Sequence, residues 1–171
     1  IYINQKTSLF NASILENILY GNPHIKEGNV NKIIQKYNLS TIYQELKKGI
    51  YEEAGVSGAN LSLGMQKVTI LLRGIFKEGK IIIFDEPLAG LDSNTRIKVI
   101  KMIRNECQNK TVLIITHDKE IIPTLKEIID VNKPIIQTEI YDGLTSNETD
   151  QLINVINDLG YKAYDMDTCN N

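Results

Sequence analysis

Four consecutive apolar residues, Ile81-Ile-Ile-Phe84, run straight into two carboxylates, Asp85 and Glu86, and then into Pro87. A short unbroken apolar run reads as a strand buried on both faces, the signature of a parallel sheet covered by helices. Thr111 to Thr116 repeats the pattern, and Asn94 to Asn105 between them carries apolar residues at 97, 99, 100 and 103. That spacing predicts a helix. Strand, helix and strand in succession predict an α/β fold with a parallel sheet and helices outside.

The first half of the 171 residues reads differently. Ile1-Tyr-Ile3 is a strand end. Ser13, with Glu16 three positions later, predicts a capped helix that stops at Gly21. Asn29 to Tyr37 has helical spacing. Ser40 or Thr41 starts a further short helix through Leu46, closed by Gly49. Glu52 to Asn60 is Gly-rich and irregular, and a helix from Leu61-Ser62 runs to about Phe76. Further on, a helix is expected over 121–129, a strand nearer an edge over 135–140, and a last helix over 148–159.

Composition removes several classes of function. Net charge is -2, with 19 basic and 21 acidic residues, and no long basic tract appears. Nucleic acid is therefore not an expected partner. Cys107 and Cys169 have no metal-ligand spacing and form no disulfide framework, which fits a reducing compartment. No run reaches the roughly 18 apolar residues that cross a bilayer. The chain begins at Ile1 in the middle of a strand, so a segment upstream of it is expected.

Four groups can carry chemistry. Asp85 and Glu86 sit at the carboxyl end of a strand, where open parallel sheets bind ligands. One carboxylate can hold magnesium and its neighbour can orient a water; equally, the pair can be the solvated start of a loop. His117, ending the next strand, can contact a terminal phosphate or serve as a structural hydrogen-bonding residue. Leu61-Ser62-Leu63-Gly64 precedes a helix, so its amides and the Ser62 hydroxyl can face an anion, or Ser62 can be a plain cap. No Gly-rich loop ending in Gly-Lys-Ser or Gly-Lys-Thr occurs anywhere in the sequence.

The order of these pieces resembles the nucleotide-binding domain of an ATP-binding cassette (ABC) transporter, closest to the exporter, multidrug-resistance-like branch. Tyr2 to Phe10 resembles the family's Q-loop, with Gln5 as its glutamine. Ser13-Ile-Leu-Glu-Asn-Ile18 with Tyr20-Gly21 resembles the start of its helical subdomain. Glu53 to Gly58 is similar to the loop before the signature, and Leu61-Ser-Leu-Gly-Met65 stands where the signature belongs. Ile81 to Glu86 resembles Walker B with the catalytic glutamate, Leu88 to Asp92 the D-loop, and His117 the switch histidine.

The resemblance implies a P-loop NTPase-type sheet whose N-terminal part, with Walker A, lies upstream of Ile1. It divides the chain into a helical subdomain over 8–74 and an α/β core over 75–171. ATP and Mg²⁺ are the implied cofactors. Asp85 and Gln5 would serve the metal, and Glu86, His117 and Gln5 the chemistry. Ser62, Gly64 and Leu61 would complete the nucleotide site of a second such domain, met head to tail, with Asp92 communicating across the pair. Transmembrane domains in the same or another chain would be moved by closure, placing the chain at the cytoplasmic face of a membrane. Leu63, Met65, Val56 and Ala89 depart from the family pattern. Other readings are a non-catalytic partner lending its signature, a soluble repair or translation protein of the same family, and a degenerate remnant.

Overall fold

The computed structural model describes residues 1–4, 6–116 and 135–137, together with Asp150 and Asn154. The expected helix over 121–129, half of the expected strand over 135–140 and most of the expected helix over 148–159 lie outside the described residues.

Among the described residues four strands form one parallel sheet: β1 (Tyr2–Ile3), β2 (Ile81–Asp85), β3 (Thr111–Ile115) and β4 (Ile135–Gln137), in that order across the sheet. Tyr2 lies opposite Ile83, and Asp85 opposite Ile115. The helix α4 (Ser93–Glu106) connects β2 to β3, giving the parallel unit that the apolar runs predict. Burial alternates along these strands. Ile82, Phe84, Val112 and Ile114 are fully buried and share the core with helix residues, whereas Ile81 is 55% exposed. The expectation of burial on both faces therefore holds for one face among these strands. The other face carries Tyr2, Ile81, Ile83, Leu113 and Ile115 at partial or full exposure.

Each helix start has a local cause. At α1 (Ile14–Leu19), the Ser13 hydroxyl accepts from the Glu16 amide and the Glu16 carboxylate accepts from the Ser13 amide. Such a cap is worth about 1 kcal/mol. Helix α2 (Glu27–Lys36) buries Val30 and Ile34 and ends before Asn38, which takes a left-handed conformation. The expected helix from Ser40 through Leu46 is instead a 3₁₀ turn over Leu39–Ile42, with a second over Gly49–Tyr51. Short i-to-i+3 bonds, from Tyr43 to Ser40 and from Leu46 to Tyr43, replace the α ladder. Ser40, Thr41 and Ile42 are weak helix formers, so burying Leu39 and Tyr43 decides the local path.

Helix α3 (Leu63–Ile75) is buried on nearly every side from Val68 onward, as expected of a central helix. It approaches β1 so closely that a Cβ on Gly74 would lie 2.0 Å from Ile3 Cδ1. Arg73 on this helix is a polar hub at 7% exposure. Its guanidinium donates to the Asn17 carbonyl and side-chain oxygen, both at 2.7 Å, and to the Ser8 carbonyl at 3.2 Å. The Phe10 ring centroid lies 5.1 Å from it and that of Tyr20 5.9 Å. The Asn17 amide nitrogen in turn donates to the carbonyls of Phe10, Ala12 and Ser13. One buried cation thus ties the segment after β1 to α1 and α3.

Helix α4 is fastened to the N-terminal helical region at two points. Lys36 Nζ and the Tyr37 hydroxyl both donate to Glu106, at 2.8 and 2.6 Å, and Lys98 Nζ donates to Thr41 Oγ1 at 2.7 Å. Among the described residues, no helix is long and apolar enough to cross a membrane.

Candidate functional site

The two carboxylates end β2, but their surroundings differ. Asp85 is partly exposed and accepts a 3.1 Å hydrogen bond from the Tyr2 hydroxyl on β1. Glu86 is only 3% exposed, and its backbone is left-handed at φ 51. Its amide donates to the Ile115 carbonyl at 2.8 Å, extending the β2–β3 pairing by one residue. Its carboxylate accepts from Thr116 Oγ1 at 3.1 Å. A left-handed non-glycine residue is strained, and such strain gathers at functional sites. Glu86 is thus the buried member of the pair, not the solvated start of a loop.

Beyond Glu86 the chain turns through Ala89 and Gly90, with amide bonds from Ala89 to Glu86 and from Leu91 to Leu88. Gly90 takes φ +76. The turn delivers Asp92 to the start of α4, where its carboxylate accepts from the Thr95 amide at 3.0 Å. Hydrogen bonding by the Thr95 side chain, and then by its amide, holds the Asp92 carboxyl below the usual carboxylate range.

Ser62 caps α3, its hydroxyl accepting from the Met65 amide at 3.3 Å. Leu63 follows it with its side chain 75% exposed, while Met65 is turned into the core at 7%. Gly64 meets little: a Cβ there would find Leu91 Cδ2 at 3.8 Å and Ser62 Oγ at 4.0 Å, both ordinary contacts. Nothing among the described residues requires glycine at 64. Leu61 is placed differently from its neighbours. Its side chain is buried, its amide donates to Gly58, and its carbonyl accepts from Gln66 Nε2 at 3.0 Å. Leu61 therefore supports the loop and does not present a group at the helix end. Gln66 also donates to the Gly58 carbonyl, which stitches the 55–60 loop to α3.

Ser62, Gly64 and Asp92 line one polar cavity of about 310 Å³, with Thr41, Glu45 and Lys98 on its other walls. Asp85 and Glu86 are not part of it. The structure therefore brings the expected residues together as two separate groups. Gln5 and His117 lie outside the described residues. A larger cleft of about 490 Å³ lies over Ile34, Tyr43 and Ile50, and among the described residues no carboxylate, imidazole or lysine lines it.

Three residues near the carboxylates have no marker in the sequence. Tyr2 and Thr116 reach them from flanking strands. Lys67, on α3, is half-buried; burial lowers its ammonium pKa, while the negative charges of Glu86 and Asp85 act in the opposite direction. A lysine two residues beyond Met65 gives no hint of that neighbourhood until α3 is laid beside β2. Among the described residues, no three His, Cys, Asp or Glu side chains converge as a metal cluster. A hard cation here would take one or two carboxylate oxygens and complete its shell with water and phosphate, as magnesium commonly does.

Residues 1–89 match the profile of the family described as ABC transporter. The chain belongs to that family. It is 31% identical over 137 residues to the ATP-dependent lipid A-core flippase of Desulfotalea psychrophila, covering 80% of this chain and 24% of that protein. It is 33% identical over 115 residues to ABC transporter B family member 4 of Dictyostelium discoideum, covering 67% of this chain and 15% of that one. A solved bacterial Atm1-family ABC exporter with ATP bound superimposes with a TM-score of 0.63 at 26% identity, over 71% of this chain and 21% of that chain. The ABC chain thus spans about a quarter or less of the length of these relatives. Its parallel sheet flanked by helices is the P-loop NTPase-type fold of an ABC nucleotide-binding domain, homologous to those of flippases and exporters.

Proposed function

We propose that this ABC domain binds and hydrolyses ATP with magnesium to drive transport across a membrane, as part of a longer exporter. The observation that carries this reading is the separation of the site into two groups. Ser62, Gly64 and Asp92 share a cavity that excludes Asp85 and Glu86. A site of that kind works as a composite: each domain offers its signature to the nucleotide held by the other, head to tail. Gly64 fits this role, because its missing side chain serves no close contact among the described residues and leaves room for a phosphate to come close to backbone.

On this reading Asp85 anchors the metal's water shell, with Gln5 as a further ligand. Glu86 orients the attacking water, and His117 holds the terminal phosphate. Transmembrane domains in the same or another chain receive the motion at the cytoplasmic face of a membrane. Residues 8–74 act as a helical subdomain and 75–171 as an α/β core. The 171 residues themselves contain no Gly-Lys-Ser or Gly-Lys-Thr loop, so they do not grip a triphosphate alone.

A second reading, a partner that lends an altered signature without full catalysis, draws on Leu63 and Met65. Leu63 adds a bulky exposed side chain on the signature turn, and Met65 offers no polar group there. Two measurements test these readings. Isothermal titration of ATP into the isolated 171-residue chain is expected to show no tight binding; a micromolar Kd for the monomer overturns the need for a supplied P-loop. Steady-state hydrolysis by the full-length protein is expected to vanish in Glu86→Gln. If the unaltered protein hydrolyses no ATP while stimulating a P-loop-bearing subunit, the second reading replaces the first.

A further inference from the structure

Each carboxylate at the end of β2 is held by a hydroxyl from a different neighbour. The Tyr2 hydroxyl donates to Asp85 Oδ2 and Thr116 Oγ1 donates to Glu86 Oε2, both at 3.1 Å. The sheet register explains both. Tyr2 stands opposite Ile83 and on the same face as Asp85, two residues further along. A tyrosine is long enough to span that diagonal. Asp85 stands opposite Ile115, so the next residues, Glu86 and Thr116, become neighbours. The Glu86 amide bond to the Ile115 carbonyl and the left-handed turn at Glu86 then aim its side chain back towards β3.

The two hydroxyls differ in setting. Thr116 is 2% exposed and its partner 3%, so that bond lies in a dry place. Tyr2 is 56% exposed and contributes little to the core, so burial does not account for its contact with Asp85. Asp85 Oδ1 takes no hydrogen bond from the described residues.

We infer that Tyr2 and Thr116 are positioning residues with divided duties: Tyr2 sets Asp85 for the cation, and Thr116 sets Glu86 for the attacking water. This rests on the roles proposed above for the two carboxylates. A divided duty separates the kinetic effects. Loss of the Tyr2 hydroxyl weakens the response to magnesium. Loss of the Thr116 hydroxyl slows turnover without weakening substrate binding.

The test uses the full-length protein, with ATP and magnesium chloride as the only added ligands. Turnover, KM for ATP and half-saturating magnesium are measured for Tyr2→Phe, Thr116→Val and Thr116→Ser, with Asp85→Asn and Glu86→Gln as references and melting curves for all. Tyr2→Phe is expected to raise half-saturating magnesium several-fold, with turnover recovered at saturating magnesium. Thr116→Val is expected to lower kcat by about tenfold at unchanged KM, the pattern of a lost orienting contact. Thr116→Ser keeps the hydroxyl and is expected to restore turnover. Should Thr116→Val not fold, Thr116→Ala against Thr116→Ser gives the same comparison. The inference is overturned if Tyr2→Phe and Thr116→Val match the parent while Asp85→Asn and Glu86→Gln abolish hydrolysis, or if Thr116→Ser is as slow as Thr116→Val. If Asp85→Asn and Glu86→Gln remain fully active, the roles of the carboxylates fail, and the inference fails with them.

Discussion

Gly64 and Arg73 sit nine residues apart on one helix and make opposite demands. At Gly64 the chain has room for a side chain and the backbone is helical. Gly64→Ala is therefore expected to stabilise the fold by up to about 1 kcal/mol, because alanine loses less backbone freedom in a helix. The same change is expected to reduce hydrolysis by the full-length protein, since the methyl group occupies the approach to the composite site. A melting curve and an ATPase rate on one sample check both signs together. Arg73→Ala strips buried carbonyls and the Asn17 oxygen of their donor. Its expected cost is about 3 kcal/mol, the scale for breaking a buried charged network, read from denaturant midpoints. Lysine is expected to recover little of it, because three acceptors around two ring faces need a planar fork.

The residue scale is also where the sequence was most and least readable. Ser13 and Ser62 could be placed as helix caps from their neighbours alone, because a cap bonds an amide three residues away, whereas Asp92, read as the end of a loop, also caps a helix. Tyr2, Thr116 and Lys67 were invisible for the converse reason. Their partners lie 83, 30 and about 19 positions off, and nothing local marks a hydroxyl or an ammonium that finds a carboxylate across a sheet.

Among the elements, the parallel β2–α4–β3 unit was legible because its apolar runs and helical spacing are both strong. The segment from Ser40 to Leu46 was not: its apolar positions suit a helix, but the two buried anchors Leu39 and Tyr43 are reached by a tighter 3₁₀ path. Contact between elements was equally hidden. Gly74 reads as a helix-weakening residue, yet it is where α3 meets β1. Gly74→Ala is expected to cost about 1–3 kcal/mol through collision with Ile3, in the range for overpacked cores. Ile3→Ala removes the colliding atoms. A double-mutant cycle by thermal melting should show the pair less destabilised than the sum of its singles, and strict additivity would refute the contact.

For the whole molecule, the core sets a limit at alkaline pH. Cys107 is fully buried, and burial pushes its thiol up to about 11. An unfolded thiol titrates near 8.5. The folded state therefore binds the proton more tightly, and this contribution is complete below about pH 8.5 and is lost as pH rises towards 11. Denaturation midpoints are expected to fall across that window in the parent and to fall less in Cys107→Ala. Equal slopes would show that other groups govern the alkaline limb.

The Arg73 hub also has a consequence in time. Asn17 and Arg73 are 56 residues apart, and the loop they close runs from α1 through α2 and the 3₁₀ turns over Leu39–Ile42, Gly49–Tyr51 and Val56–Gly58. On a ribosome adding about 5–20 residues per second, α1 emerges capped but without its cation for several seconds. Through that interval Asn17 has only its own neighbourhood to bond, and the Phe10 and Tyr20 rings face solvent or a chaperone. The N-terminal region of this chain thus waits for α3, and its vulnerability during synthesis is set by the distance in sequence between one asparagine and one arginine.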